Sequence, residues 1–100
     1  MVDIKRRLIE GQAAIEIDVK LPFTPICLLM NTKGFLCGKI FNANELEKSK
    51  SCACIMEESR NVNQLLSSRV VYVNQRASAR GICVGENGTS AILKMYETTD

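Results

Sequence analysis

The sequence predicts an α+β fold, with an N-terminal β region followed by short helices interleaved with strands, in one compact domain over residues 1–100. Three observations lead there. Residues 15–21 alternate between aliphatic and charged side chains, the period of a half-buried strand. Asn42, Asn61, Asn74 and Asn87 each stand where a helix needs a cap. A chain of 100 residues suits one core and leaves no room for a second.

The elements follow in order. Ile4, Leu8 and Ile9, set among Lys5, Arg6, Arg7 and Glu10, form a weak strand that ends at Gly11. Ile15, Ile17, Val19 and Leu21 then share one strand face, with Glu16, Asp18 and Lys20 on the other. Pro22 and Pro25 bracket a connection, and residues 26–30 read as a strand buried on both faces. Asn31-Thr32-Lys33-Gly34 is a turn in which Gly34 can take positive φ, and residues 35–41 return as the partner strand. Asn42 caps a short helix to about Lys50 with Ala43 and Leu46 inward, and residues 52–56 form a strand. Asn61 and Gln64 have capping-box spacing, ahead of Val62, Leu65 and Leu66 on one helix face. Residues 70–73 are the last strand, and Asn74 opens a short helix closed by Gly81. Asn87 caps a final helix that turns Ala91, Ile92, Met95 and Tyr96 inward, and residues 98–100 are expected to fray. The helices are expected in one layer against a mixed or antiparallel sheet.

Composition narrows the function classes. Hydrophobic residues make up 46% and charged residues 24%, which is globular rather than disordered. Tryptophan is absent, so aliphatic side chains, cysteine and methionine must fill the core. The net charge of +2 comes from 13 basic and 11 acidic residues mixed along the chain, and Lys5-Arg6-Arg7 alternates between two strand faces. That pattern reads as solvated surface, and no nucleic acid is expected as a partner. No apolar run approaches membrane-spanning length, and charges occupy the place of a signal peptide's apolar region. A cytoplasmic protein with no membrane partner is therefore expected. Asn87-Gly88-Thr89 matches a glycosylation sequon by letter but reads as a helix cap. Five cysteines, an odd number placed in strand-like runs, suit reduced thiols better than a disulfide framework.

Histidine is absent, which removes Ser-His-Asp and Cys-His pairs, most catalytic zinc sites and the usual proton shuttle. Cys52-Ala53-Cys54 places two thiols on one strand face, where core packing is the expected role, with soft-metal binding and then redox chemistry as the alternatives. No knuckle spacing supplies a second pair, so neither a metal nor a cofactor is expected. Cys37, beside Gly38, is expected to be a small buried side chain next to a bulge glycine; the alternative is a nucleophile, provided a cation or helix terminus lowers its pKa. Asn87, Gly88, Thr89 and Ser90 open a helix with free amides and hydroxyls, a generic anion site that capping also explains. Arg60, Lys39 and Arg76 are candidates to face a cleft, and Glu57-Glu58 lacks the spacing of an acid–base pair.

Short motifs in a fixed order add a resemblance. Ile9-Glu10-Gly11-Gln12, Val19-Lys20-Leu21-Pro22, Lys33-Gly34-Phe35 and Cys37-Gly38 are followed by Asn63-Gln64-Leu65-Leu66, Gly81-Ile82 and Val84-Gly85-Glu86-Asn87-Gly88. Together they resemble the YunC family of uncharacterised bacterial and archaeal proteins, from about Ile9 to Tyr96. The chain departs from that pattern at the Gly34–Cys37 spacing, at Asn87 where serine is common, and at Arg80 where an apolar residue is usual. The resemblance implies a compact α+β domain whose N-terminal β region, residues 1–22 here, joins subunits into tetramers. It implies no activity. The expected function is thus a homo-oligomeric structural or small-ligand-binding module, and the alternative is a small enzyme using Cys37 with an anion held at Asn87–Ser90.

Overall fold

Antiparallel strands joined by two-residue turns build the first half of the chain. In the computed structural model, which describes residues 2–96, β1 (Val2–Ile9) turns through Glu10 and Gly11 into β2 (Gln12–Leu21). Both turn residues have positive φ, 48° and 84°, which matches the twist of a tight hairpin. Pro22 and Phe23 then lead into β3 (Thr24–Met30), and β4 (Gly34–Cys37) follows. Next come α1 (Ala43–Lys48), β5 (Cys52–Met56), α2 (Val62–Ser67), β6 (Val70–Val73), α3 (Gln75–Ala79) and α4 (Gly88–Lys94). The expected fraying of residues 98–100 lies outside the described residues.

One six-stranded sheet runs in sequence order, β1-β2-β3-β4-β5-β6. Every neighbouring pair is antiparallel except β4–β5. A parallel pair cannot close through a tight turn, and α1 is its crossover. The expected α+β class is the observed one, with a mixed sheet. The helices, however, lie on both sheet faces rather than in one layer. Val62 and Leu65 of α2, Ala77 of α3, and Ala91 and Ile92 of α4 pack with Ile9, Ala14, Cys27, Leu29, Leu36 and Cys54. Leu46 of α1 packs on the opposite face with Cys37, Ala53 and Ile55. The crossover between two parallel strands must pass over one face, and the other face was already taken.

All four asparagine caps are present, with Oδ1 accepting from the amides of Asn44, Gln64, Ala77 and Ser90. Several local expectations need correction. The first helix stops at Lys48, with Ser49 as its C-cap, so Lys50 lies beyond it. Gln64 reaches back to the amide of Arg60, one residue before the cap, instead of that of Asn61. Pro25 belongs to β3; β4 pairs only with Leu29 and Met30, so Pro25 sits on a free-edged stretch that tolerates a missing N–H. Gly34 is required for space rather than for φ: a Cβ there would fall 2.2 Å from the Cys52 carbonyl oxygen.

The largest departure concerns which face is covered. The register places Val2, Ile4 and Leu8 of β1 on the same side as Ile15, Ile17, Val19 and Leu21 of β2 and Ile26, Leu28 and Met30 of β3. Within the subunit this side is open. Exposure runs from 37% at Met30 to 66% at Ile4, and only Ile17, Val19, Ile26 and Leu28 are partly covered. Residues 26–30 are therefore buried at Cys27 and Leu29 alone, not on both faces. The charged side of β2 instead turns toward the helices, where Arg7 pairs with Glu16 at 3.1 Å and donates to Asn63 of α2.

Candidate functional site

Cys37 ends β4, on the face covered by α1, and is fully buried. Its thiol donates to the Cys54 carbonyl at 3.5 Å, and burial pushes its pKa up to about 12. Neither a cation nor a helix terminus lowers it. The neighbouring Gly38 makes room for Ser59, whose Oγ would lie 2.2 Å from an added Cβ, so the close approach there is the protein's own. A thiol so placed is protonated at neutral pH and out of reach of a substrate.

The Asn87–Ser90 segment is built mostly for internal contacts. Asn87 caps α4, Thr89 Oγ1 donates to the Leu66 carbonyl at 3.2 Å, and Ser90 Oγ donates to Glu86 at 2.6 Å. Gly88 is pressed against α2, where a Cβ would meet the Leu65 carbonyl oxygen at 1.8 Å. Glu86 thus sets a carboxylate beside the helix start, held also by Lys94 Nζ at 2.9 Å and the Cys83 amide at 2.7 Å. Burial pushes the Glu86 pKa up, but the hydrogen bonds from Ser90, Lys94 and Cys83 outweigh it and leave the carboxyl below its ordinary value. The depression outside, about 370 Å³, is lined by Asn87, Thr89 and Ser90 together with Leu93, Lys94 and Glu10, a second carboxylate. Sequence reasoning located the cap but not Glu86, whose role depends on which way a loop folds.

The remaining thiols are free, four of the five cysteines being buried and Cys83 exposed. Cys52 and Cys54 share the face of β5 that points into the larger core, as their spacing predicted. Among the described residues no three metal-ligating side chains converge. Arg60 and Lys39 are exposed and line none of the principal cavities, while Arg76 lines one with Lys33, Lys50 and Arg80. No helix among the described residues is long and apolar enough to cross a membrane.

A residue that sequence reasoning read only as a cap joins these parts. Asn74 is buried, and its Oδ1 accepts from the amides of Ala53 and Ala77 at 3.1 and 2.9 Å. Its Nδ2 donates to the carbonyls of Leu46 and Ser51, each at 2.9 Å. One amide group therefore fixes α1, the α1–β5 connection, β5 and α3 against one another, with every polar atom satisfied.

The same architecture occurs elsewhere. No protein-family model matches the chain. It is, however, 34% identical to the uncharacterised protein YunC of Bacillus subtilis (strain 168), over 97% of this chain and all of that one. The chain belongs to the YunC family. A crystal structure of a protein of unknown function from Thermoplasma acidophilum superposes with a TM-score of 0.88, covering 95% of this chain and 93% of the other. At 23% identity that likeness establishes the YunC fold alone. Both relatives are described as uncharacterised or of unknown function, so membership of the YunC family brings a fold and no activity.

Proposed function

We propose that this YunC-family chain works as a homo-oligomeric module, a tetramer assembled through its N-terminal strands. The observation that carries this reading is the open apolar side of β1–β3. Its six most exposed side chains, Val2, Ile4, Leu8, Ile15, Leu21 and Met30, are each about half accessible. Covering them contributes roughly 5–9 kcal/mol per subunit, taking half of the usual value for a large aliphatic chain. Two faces packed together double that to roughly 10–18 kcal/mol, of the same order as the roughly 4–15 kcal/mol that association costs. A second contact is available at the outer edge of β1, whose eight residues have a partner strand on one side only. Two self-complementary contacts are what a twofold-symmetric tetramer requires.

Phe23 supports the same reading. It is fully exposed at the β2–β3 turn and has φ 65°, a conformation that disfavours a bulky side chain. A strained aromatic held in solvent fits a contact made by another subunit. The buried Cys37 thiol and the carboxylate beside Asn87–Ser90 favour a module over a thiol enzyme. Ile4→Glu tests the assembly, because Ile4 is exposed within the subunit and a charge there spares the core. Light scattering should show the variant as a smaller species with an unchanged circular dichroism spectrum. A wild-type protein that is monomeric at micromolar concentration would refute the proposal.

A further inference from the structure

Where Lys33, Lys50, Arg76 and Arg80 surround one cavity, we infer a binding site for a small multivalent oxyanion, of the phosphate-ester or polycarboxylate class. The cavity measures about 410 Å³ and is completed by Thr32, Ser51, Cys52 and Ala79. Among the described residues, four cations line it and no acid does, although the whole chain is nearly neutral. Among the described residues, Lys33, Lys50 and Arg76 make no ion pair. A concavity lined by one sign of charge focuses the potential and raises the local concentration of the opposite ion. Its volume falls in the range of small-ligand sites.

The walls are fixed before any ligand arrives. Arg76, Ala79 and Arg80 recur at helical spacing on one face of the α3 segment, and all three line the cavity. Lys33 is set by the turn after β3: Asn31 Oδ1 accepts from the amides of Lys33 and Gly34 at 2.8 and 3.0 Å. The Cys52 amide donates to the Lys33 carbonyl at 3.0 Å, which ties that turn to the start of β5. Asn74 joins Ser51 to Ala77, so the segment carrying Lys50 and the helix carrying the arginines keep one spacing. Guanidinium forks donate paired hydrogen bonds to phosphate or carboxylate oxygens, while lysines add mobile point charges. None of these residues belongs to the apolar side of β1–β3, so the site and the assembly can fail separately.

Calorimetric titration of the full-length protein with pyrophosphate, and separately with citrate, tests the site and distinguishes the two ligand sources. At least one anion should bind once per chain at micromolar concentration. The double substitution Lys33→Ala with Arg76→Ala should weaken that binding by about tenfold or more, with the oligomeric mass unchanged. Lys39→Ala removes a charge elsewhere on the surface and should change it by less than about twofold, as diffuse attraction weakly sensed would. Should the double variant not fold, Lys50→Gln, outside every helix and strand, takes its place with the same expected direction. Failure of both anions to bind below millimolar concentration would overturn the inference, as would equal losses in the cavity variants and Lys39→Ala.

Discussion

Asn74 sets one side-chain oxygen and one nitrogen against two amides and two carbonyls, of which the Leu46 carbonyl also accepts from the Ser49 amide. Leaving a buried polar group unsatisfied costs about 1–3 kcal/mol, so Asn74→Ala should lose about 3 kcal/mol or more in urea denaturation. The sequence makes the cap legible, since asparagine at a strand-to-helix boundary has a local reason to be there. The bonds to Leu46 and Ser51 are not legible, because they link residues that meet only after the crossover has folded. Cys37 shows the same limit: the glycine beside it signalled a close approach, but not that Ser59 makes it. Titration reaches this scale too. Burial, helped by Asp18 and Glu16, raises the Cys27 pKa to about 11, and burial raises those of Cys37 and Cys54 to about 12, from an ordinary 9.0. The unfolded chain releases these protons first, so their contribution is intact below pH 9.0 and shrinks as pH climbs toward 11 to 12. The urea midpoint should therefore be lower at about pH 10 than at about pH 8, a fall tied to these thiols by linkage.

At the scale of elements, the helices were the most legible parts and the strand faces the least. Capping is a local interaction, and each of the four asparagines marks its helix within the sequence. Asn87→Ala should lower stability by about 0.5–2 kcal/mol, measured by thermal or urea unfolding, for loss of the α4 cap. Gly88→Ala acts differently, because it forces α4 away from the Leu65 carbonyl; overpacking of that kind typically costs about 1–3 kcal/mol. The period of β2 identified a strand with one aliphatic side, but a period of two cannot say which side the helices will cover. Here they cover the charged one, around Ala14 and Glu16, and the aliphatic side is left open within the subunit. The turn at Phe23 separates the two demands. Phe23→Gly removes the positive-φ penalty, so the isolated subunit should be at least as stable while the assembly dissociates at a higher protein concentration.

For the whole molecule, the α+β class follows from patterning and the family from motif order, while the basic cavity is invisible in one dimension. Its residues come from a turn, a connection and a helix that lie 17 and 26 positions apart, counted from Lys33 to Lys50 and from Lys50 to Arg76. No local pattern marks such a set. Deletion of residues 1–10 tests the assembly at this scale. It removes the outer edge of the sheet and part of the open side while sparing most of the core. Light scattering should report a smaller species, and circular dichroism a folded one. A truncated chain with the full-length oligomeric state would place the subunit contact elsewhere.

The uneven cover of the sheet also sets a gradient in how readily its backbone opens. Around Leu36 and Cys54 the sheet is packed on both faces, whereas β1 has one neighbouring strand and an open side. Backbone amides exchange their hydrogens with solvent through such local openings, fastest where few buried contacts must be broken. In dilute protein the deuterium uptake should therefore be fastest in β1 and slowest in β4 and β5. Raising the protein concentration should slow uptake in β1 and β2 selectively, leaving β5 unchanged, so the first strand's own amides would report whether a second subunit has arrived.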